Sequence, residues 1–192
     1  MGPRACPADA REGLSFMQHL VGRRLPDVDL EATSGSPMNP ARIIGPAVIF
    51  CYPYTGRPGY ADPPHWDHIP GAHGSTPQAI AYSIAYGQFR RLGVKLFGLS
   101  LQDTEWQRDF VKRNGLTFRL LSDAPRRFSG RMSLPLFETG GVDYLQRMTF
   151  IARDGVITAL RYPVPDPERD AAWALSHLEV LAAISRDRRA PP

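Results

Sequence analysis

Apolar positions in this chain fall into two recurring patterns. Ala47 to Tyr52 (AVIFCY) is apolar at every position and ends at Pro53, as expected of a strand covered on both faces. Residues 54–74 follow, rich in Pro, Gly and Asp. The period then changes to 3.6. From Pro77 to Leu92, apolar residues at Ile80, Ala81, Ile84, Ala85, Phe89 and Leu92 predict a helix that Gly93 stops. Val94 to Ser100 reads as a second buried strand. Asp103 or Thr104 caps a helix reaching Arg113 and ended by Asn114-Gly115, and Phe118 to Leu121 is a third strand. Gly130 to Gly141 shows little regularity. Met148 to Ala152 and Val156 to Tyr162 flank the turn Arg153-Asp154-Gly155, and Asp170 to Ile184 closes the chain as a helix with Trp173, Leu175, Leu178, Leu181 and Ala182 on its apolar side. Upstream, Leu14 to Leu20 suggests a short helical turn. Leu25 to Ala32 alternates like an edge strand before the turn at Ser34-Gly-Ser-Pro. This order predicts an α/β fold.

A length of 192 residues suits one domain with a real core, set here at 14–185 between disordered tails 1–13 and 186–192. The net charge of +4 is mild. Its clusters, Arg126, Arg127 and Arg131 and then Arg186, Arg188 and Arg189, read as solvated faces, and no nucleic-acid motif accompanies them. No apolar run approaches membrane-spanning length, and the N-terminus lacks the apolar core of a signal peptide. Cys6 and Cys51 are the only cysteines, too few for a disulfide framework. The expectation is a cytoplasmic protein without nucleic-acid or membrane partners.

The chemistry concentrates where the loop meets the helix, at Gly74-Ser75-Thr76-Pro77. Helix N-termini present unpaired amides and the positive end of the macrodipole, so they hold anions and reactive groups. Ser75 or Thr76 is the expected N-cap, and Pro77 suits the first turn. No strong nucleophile is present. Ser75 would need an adjacent base, and no nucleophile-elbow sequence surrounds it, so capping with ligand contact is the favoured reading. His65, Asp67, His68 and His73 have the residue types of a metal site. A loop shaping the pocket mouth is preferred over it, so no metal is assigned. Tyr52, Tyr54, Tyr60 and Trp66 would make that mouth aromatic. Cys51, inside a strand, reads as inert packing.

Several blocks resemble the peroxiredoxins, specifically the redoxin or bacterioferritin-comigratory-like branch. Within Val48 to Asp123 these are YPYTGRPG, GSTPQA, RRLGVKLFGLSLQD and FRLLSD, and residues 147–157 add the hairpin RMTFIARDGVI. The resemblance implies a thioredoxin-like fold with a peroxiredoxin-type N-terminal extension and a long loop before the active-site helix. It also implies a parent chemistry in which a cysteine thiolate at that helix start attacks a hydroperoxide. Here Ser75 occupies the peroxidatic position and Ile80 the resolving one. Thr76 and Pro77 match the motif, and Arg147 matches the family's active-site arginine. Pro53 and Thr55 lie at the strand end that walls the pocket, with Trp66 at its mouth. Ala72 stands three residues before Ser75, where a shorter motif would carry threonine, and the sequence leaves open whether Thr55 substitutes for it. Three classes follow. The first is an enzyme repurposed to bind an organic substrate or peroxide, with Ser75, Arg147 and Thr76 at its centre. The second is a non-catalytic ligand- or partner-binding homologue. The third is a thiol peroxidase whose cysteine was replaced by Ser75. The resemblance also implies a homodimer, a small-molecule substrate or hydroperoxide, and no cofactor.

Overall fold

The computed structural model describes residues 17–187, and its strands run β1 (Glu31–Ala32), β2 (Pro46–Cys51), β3 (Lys95–Ser100), β4 (Arg119–Ser122), β5 (Leu136–Thr139), β6 (Val142–Leu145), β7 (Met148–Arg153) and β8 (Val156–Arg161). The helices are α1 (Ser75–Arg91), α2 (Thr104–Asn114), α3 (Arg127–Met132) and α4 (Asp170–Asp187). Six strands form one sheet in the order β1-β4-β3-β2-β7-β8, while β5 and β6 form a separate hairpin. The apolar run of β2 takes a central place, parallel to β3 and antiparallel to β7.

Alternation sorts β2 between two cores. Val48, Phe50 and Tyr52 pack with Ala79, Tyr82, Ala85 and Phe89 of α1 and with Ala171, Ala174, Leu175 and Leu178 of α4. Ala47, Ile49 and Cys51 face the other way, toward Phe97, Leu99, Phe128 and Phe150. The register Cys51↔Met148 brings Arg147 beside the end of β2, the point at which Pro53 turns the chain out of the sheet. Among the described residues no helix is long and apolar enough to cross a membrane.

Five expectations need correction. The buried face of α1 is Gln78, Ala79, Tyr82, Ala85 and Phe89, whereas Ile80 and Ile84 are 40% and 81% exposed. Tyr82 stacks on Phe50, with ring centroids 4.3 Å apart, and that contact outweighs the isoleucines in orienting the helix. The N-cap of α1 is Gly74, not Ser75 or Thr76, and no side chain caps it. Gly74 has φ +102, and the Pro167 ring lies 2.6 Å from where a Cβ would stand, so two constraints demand glycine there. The edge strand narrows to Glu31–Ala32, paired with β4. The stretch read as irregular contains α3 and the β5–β6 hairpin, turned at Gly140 and Gly141. Finally, α4 runs on through Asp187. Leu14 to Leu20 contributes a 3-10 turn at Gln18–Leu20. The N-terminal tail 1–13, with Cys6, and residues 188–192 lie outside the described residues.

The orientation of α1 sets an expected stability contrast. Phe89→Ala should cost about 3–5 kcal/mol, the usual loss for a buried aromatic, in urea unfolding. Ile84→Ala should stay within about 0.5 kcal/mol, as surface changes do. Equal losses would return the isoleucines to the core.

Candidate functional site at the start of helix α1

Three pieces of chain meet at Ser75: the end of the 54–74 loop, the first turn of α1, and Arg147 arriving just ahead of β7. Arg147 is 4% exposed. Its Nη2 donates to the carbonyls of Gly71 (3.3 Å), Ala72 (3.3 Å) and His73 (2.9 Å), and to Ser75 Oγ at 3.2 Å. Its Nη1 donates to Gln78 Oε1. The guanidinium therefore draws the loop end onto the helix it precedes. Nε is buried and finds no acceptor among the described residues. Burial pulls the arginine down to about 10, and the Asp170 carboxylate works against that shift, so the side chain remains a cation at neutral pH.

Behind Arg147 lies a polar cluster inside an otherwise apolar core. Asp170 is fully buried. Its Oδ2 accepts from Gln78 Nε2 (2.9 Å), Tyr82 OH (2.9 Å) and Thr149 Oγ1, and its Oδ1 from Arg161 Nη1 (3.1 Å). Gln78, Asp170 and Thr149 escaped the sequence reading. The one available signal was Gln78, a polar residue on the same helical stripe as Tyr82 and Phe89.

The expected site residues are placed unevenly. Ser75 is 4% exposed and its hydroxyl accepts from Arg147, and among the described residues no hydrogen bond links it to an imidazole or carboxylate. Thr76 and Pro77 are half-buried in the first turn, and Pro53 is buried at the strand end. Thr55 points its bonds elsewhere. Its N and Oγ1 both donate to Gln102 Oε1 (2.9 and 3.0 Å), while its carbonyl accepts from Gln102 Nε2 and Trp106 Nε1. None of these bonds reaches Ser75.

Trp66 is only 5% exposed, packed with Tyr54, Ala72, Phe137 and Tyr144, so it anchors the loop on the β5–β6 hairpin and does not line an open mouth. Thr139 Oγ1 bonds the Pro64 carbonyl at the same seam. Tyr52 likewise belongs to the core, while Tyr60 is exposed beside Trp106 and Arg57. His73 Nε2 lies 2.8 Å from Asp67 Oδ1. Among the described residues, no three His, Cys, Asp or Glu side chains converge as a metal would need.

Cys51 is free and buried on the sheet face opposite α1, where burial pushes its thiol up far beyond the ordinary range. Two clefts, of about 470 and 320 Å³, open at the ends of β3 and β4; the smaller is walled by Tyr54, Trp106 and Tyr144. Neither is lined by Ser75, Thr76 or Arg147.

Comparison with known proteins bears on this geometry. The family model described as Redoxin matches residues 20–175. The chloroplastic peroxiredoxin Q of Sedum lineare is 26% identical over 176 residues, covering 91% of this chain and 86% of that protein. Among solved structures, peroxidoxin BcpB of Mycobacterium tuberculosis superposes with a TM-score of 0.68 at 21% identity, over 84% of this chain and 97% of that one. The bacterioferritin comigratory protein of Xanthomonas campestris gives 0.66 at 22%, over 82% and 96%. The thioredoxin-like peroxiredoxin fold expected from the sequence is the fold the chain adopts.

The burial of Cys51 has two measurable consequences. In a Cys6→Ala protein, a thiol reagent at pH 8 should modify nothing until denaturant is added. Because the native thiol stays protonated while the unfolded one ionises near pH ~8.5, the unfolded chain loses a proton first. Stability from this group is thus complete below that pH and falls above it, by at most about 1.4 kcal/mol per pH unit. Urea unfolding between pH 8 and 10 should show a shallower decline for Cys51→Ala than for the unmodified protein.

Proposed function

The chain belongs to the redoxin family, within the thioredoxin superfamily, and on that premise we propose that it is a peroxiredoxin-like protein that operates without a peroxidatic thiol. In this reading the Ser75–Arg147 site holds an oxygen atom of an organic substrate or hydroperoxide. The observation that carries it is the guanidinium of Arg147 bonded to the hydroxyl of Ser75 at the N-terminus of α1. A cation and the first-turn amides of Ser75 and Thr76 favour the same partner, an electron-rich oxygen. Thr76 and Pro77, half-buried, form the accessible side of that turn, with Pro53 behind it. Arg147 Nε, buried without an acceptor, is a donor still available to a ligand.

What the site lacks is sulfur. A thiolate attacks one peroxide oxygen, forms a sulfenic acid, and releases the other oxygen as water or alcohol. Cysteine near pKa ~8.5 can be lowered to roughly 3.5–7.5 by a helix N-terminus and a cation. A serine hydroxyl is far less acidic, and here no base accepts its proton. Relatives keep thiol chemistry in view: the Xanthomonas campestris structure is described in terms of alkyl peroxide reduction, and a peroxiredoxin Q of Xylella fastidiosa was crystallised as a cysteine-to-serine variant.

A second reading, a non-catalytic ligand- or partner-binding homologue, draws on the same bonds. Arg147 Nη2 is already engaged by three loop carbonyls and both side chains are buried, so a substrate reaches Ser75 only if residues 69–74 move. Codon 75 of the native gene decides whether the serine is natural. The homodimer and the cytoplasmic setting remain part of the proposal.

The unmodified protein should consume no hydrogen peroxide with dithiothreitol above background, and Ser75→Cys should gain a measurable rate. Rapid turnover by the unmodified chain, abolished by Cys51→Ala, would move the redox centre to Cys51 and overturn the reading. An inactive Ser75→Cys protein would mean a pocket rebuilt for another substrate, favouring the repurposed enzyme over a thiol peroxidase whose cysteine was replaced. Light scattering at micromolar concentration should give a mass near twice 21.3 kDa; a purely monomeric species removes the dimer.

A further inference from the structure

The buried carboxylate of Asp170 touches none of the groups assigned a role above, yet it sits one residue away from them. A carboxylate with no solvent exposure is tolerated only if its oxygens are hydrogen-bonded and its charge is matched. Both conditions hold. Gln78, Tyr82 and Thr149 donate to Oδ2, and Arg161 donates to Oδ1 as an ion pair at 3.1 Å. Every side chain that bonds the Asp170 carboxylate does so as a donor.

Of those four, Gln78 alone leads onward. A carboxamide has a donor end and an acceptor end. Asp170 takes the donor end of Gln78 at 2.9 Å, so the acceptor end must face the other way, and there it receives Arg147 Nη1. Turned over, the amide would point its NH2 group at a guanidinium and its oxygen at a carboxylate, two repulsions in place of two bonds. The run Arg161, Asp170, Gln78, Arg147, Ser75 thus alternates donors and acceptors without a break and crosses from β8 through α4 and α1 to the loop end.

We propose that Asp170 is a positioning residue for the Ser75 site: by dictating which end of the Gln78 amide faces Arg147, it fixes the guanidinium against Ser75 Oγ. This rests on the reading that Ser75 and Arg147 form the functional pocket. The competing view makes Asp170 a strut that ties the start of α4 to β7 and α1, with no effect on Arg147.

An introduced thiol reports on the guanidinium directly. In the full chain carrying Cys6→Ala and Ser75→Cys, the pH dependence of iodoacetamide alkylation gives the apparent pKa of the new thiol, with Cys51 too buried to contribute. Asp170→Leu keeps nearly the same shape but offers no acceptor at all, which releases the donor end of the Gln78 amide. Positioning predicts that the thiol pKa rises by about one unit, the scale on which a nearby cation acts. Simple removal of a negative charge predicts the opposite sign, because a thiolate is stabilised when a neighbouring anion disappears. Gln78→Leu should produce the same rise, and the double variant no more than either alone.

A folded Asp170→Leu protein whose thiol pKa falls or stays put overturns the proposal, as do additive rises from the two variants. If Asp170→Leu does not fold, a Gln78→Leu protein with an unmoved pKa overturns it instead. Arg147→Met in the same background separates the two levels. If it leaves the thiol pKa unchanged, the pocket reading itself fails. If it raises the pKa while the folded Asp170 and Gln78 variants do not, only the positioning role is lost.

Discussion

A buried guanidinium obliges the surrounding chain to supply acceptors, and around Arg147 the chain supplies them from three directions. The loop contributes the carbonyls of Gly71, Ala72 and His73, the first turn of α1 contributes Ser75 Oγ, and the buried face of α1 contributes Gln78 Oε1. Removing the cation would leave Ser75 Oγ, Gln78 Oε1 and the Ala72 carbonyl unpaired in buried surroundings, which costs more than the bonds themselves gain. The path of residues 71–75 is thus a consequence of the charge at residue 147. The same constraint reaches back to the sheet, because Arg147 stands there only while β7 keeps its register on β2.

The long loop, which dominates the sequence by its oddity, is tied at its start by bonds from Thr55 and Gly56 to Gln102, Trp106 and Arg113, and two contacts hold its later part. One is the Arg147 clamp. The other is the apolar knot of Trp66, Ala72 and Tyr144, backed by Tyr54 and Phe137. The second point depends on the β5–β6 hairpin, whose Gly140 lets Pro64 approach to within 2.9 Å of a would-be Cβ. Aromatic residues that look like a binding surface on paper here bind the protein's own loop, while Tyr54, Trp106 and Tyr144 keep edges on the 320 Å³ cleft.

Local pattern and tertiary context each decided part of this structure. The run Ala47 to Tyr52 revealed the central strand because a strand covered on both faces has no polar positions to hide. Helix α1 was legible in extent and misread in orientation. Counting apolar residues favours Ile80 and Ile84, but a buried polar cluster recruits Gln78 and Tyr82 to the inside, and a count of hydrophobicity scores those positions against burial. Helix α3 escaped because its first amides, Phe128 N and Ser129 N, are satisfied by Asp123, three residues upstream of the N-cap position at Arg126, where a capping side chain is ordinarily sought. Ser75 was picked out as the candidate centre of the site from its motif. Its cap role failed because Gly74 is pressed against Pro167, a contact from nearly a hundred residues away that no local rule anticipates.

The register of β2 with its two neighbours also orders events in time. Its parallel partner β3 arrives through the single crossover helix α1, whereas its antiparallel partner β7 lies about a hundred residues downstream, and pairings of large sequence separation close late because their loops carry the greater entropy. During synthesis the stretch from β2 to β4 emerges as a βαβαβ unit with the start of α1 already in place, but the carbonyls of residues 71–73 then have only water to bond. Arg147 reaches them when the last third of the chain pairs, and Asp170 after it. The strands that carry the site therefore come from the front of the chain and the groups that close it from the back, so the order of residues 71–75 waits on the last third of the sequence.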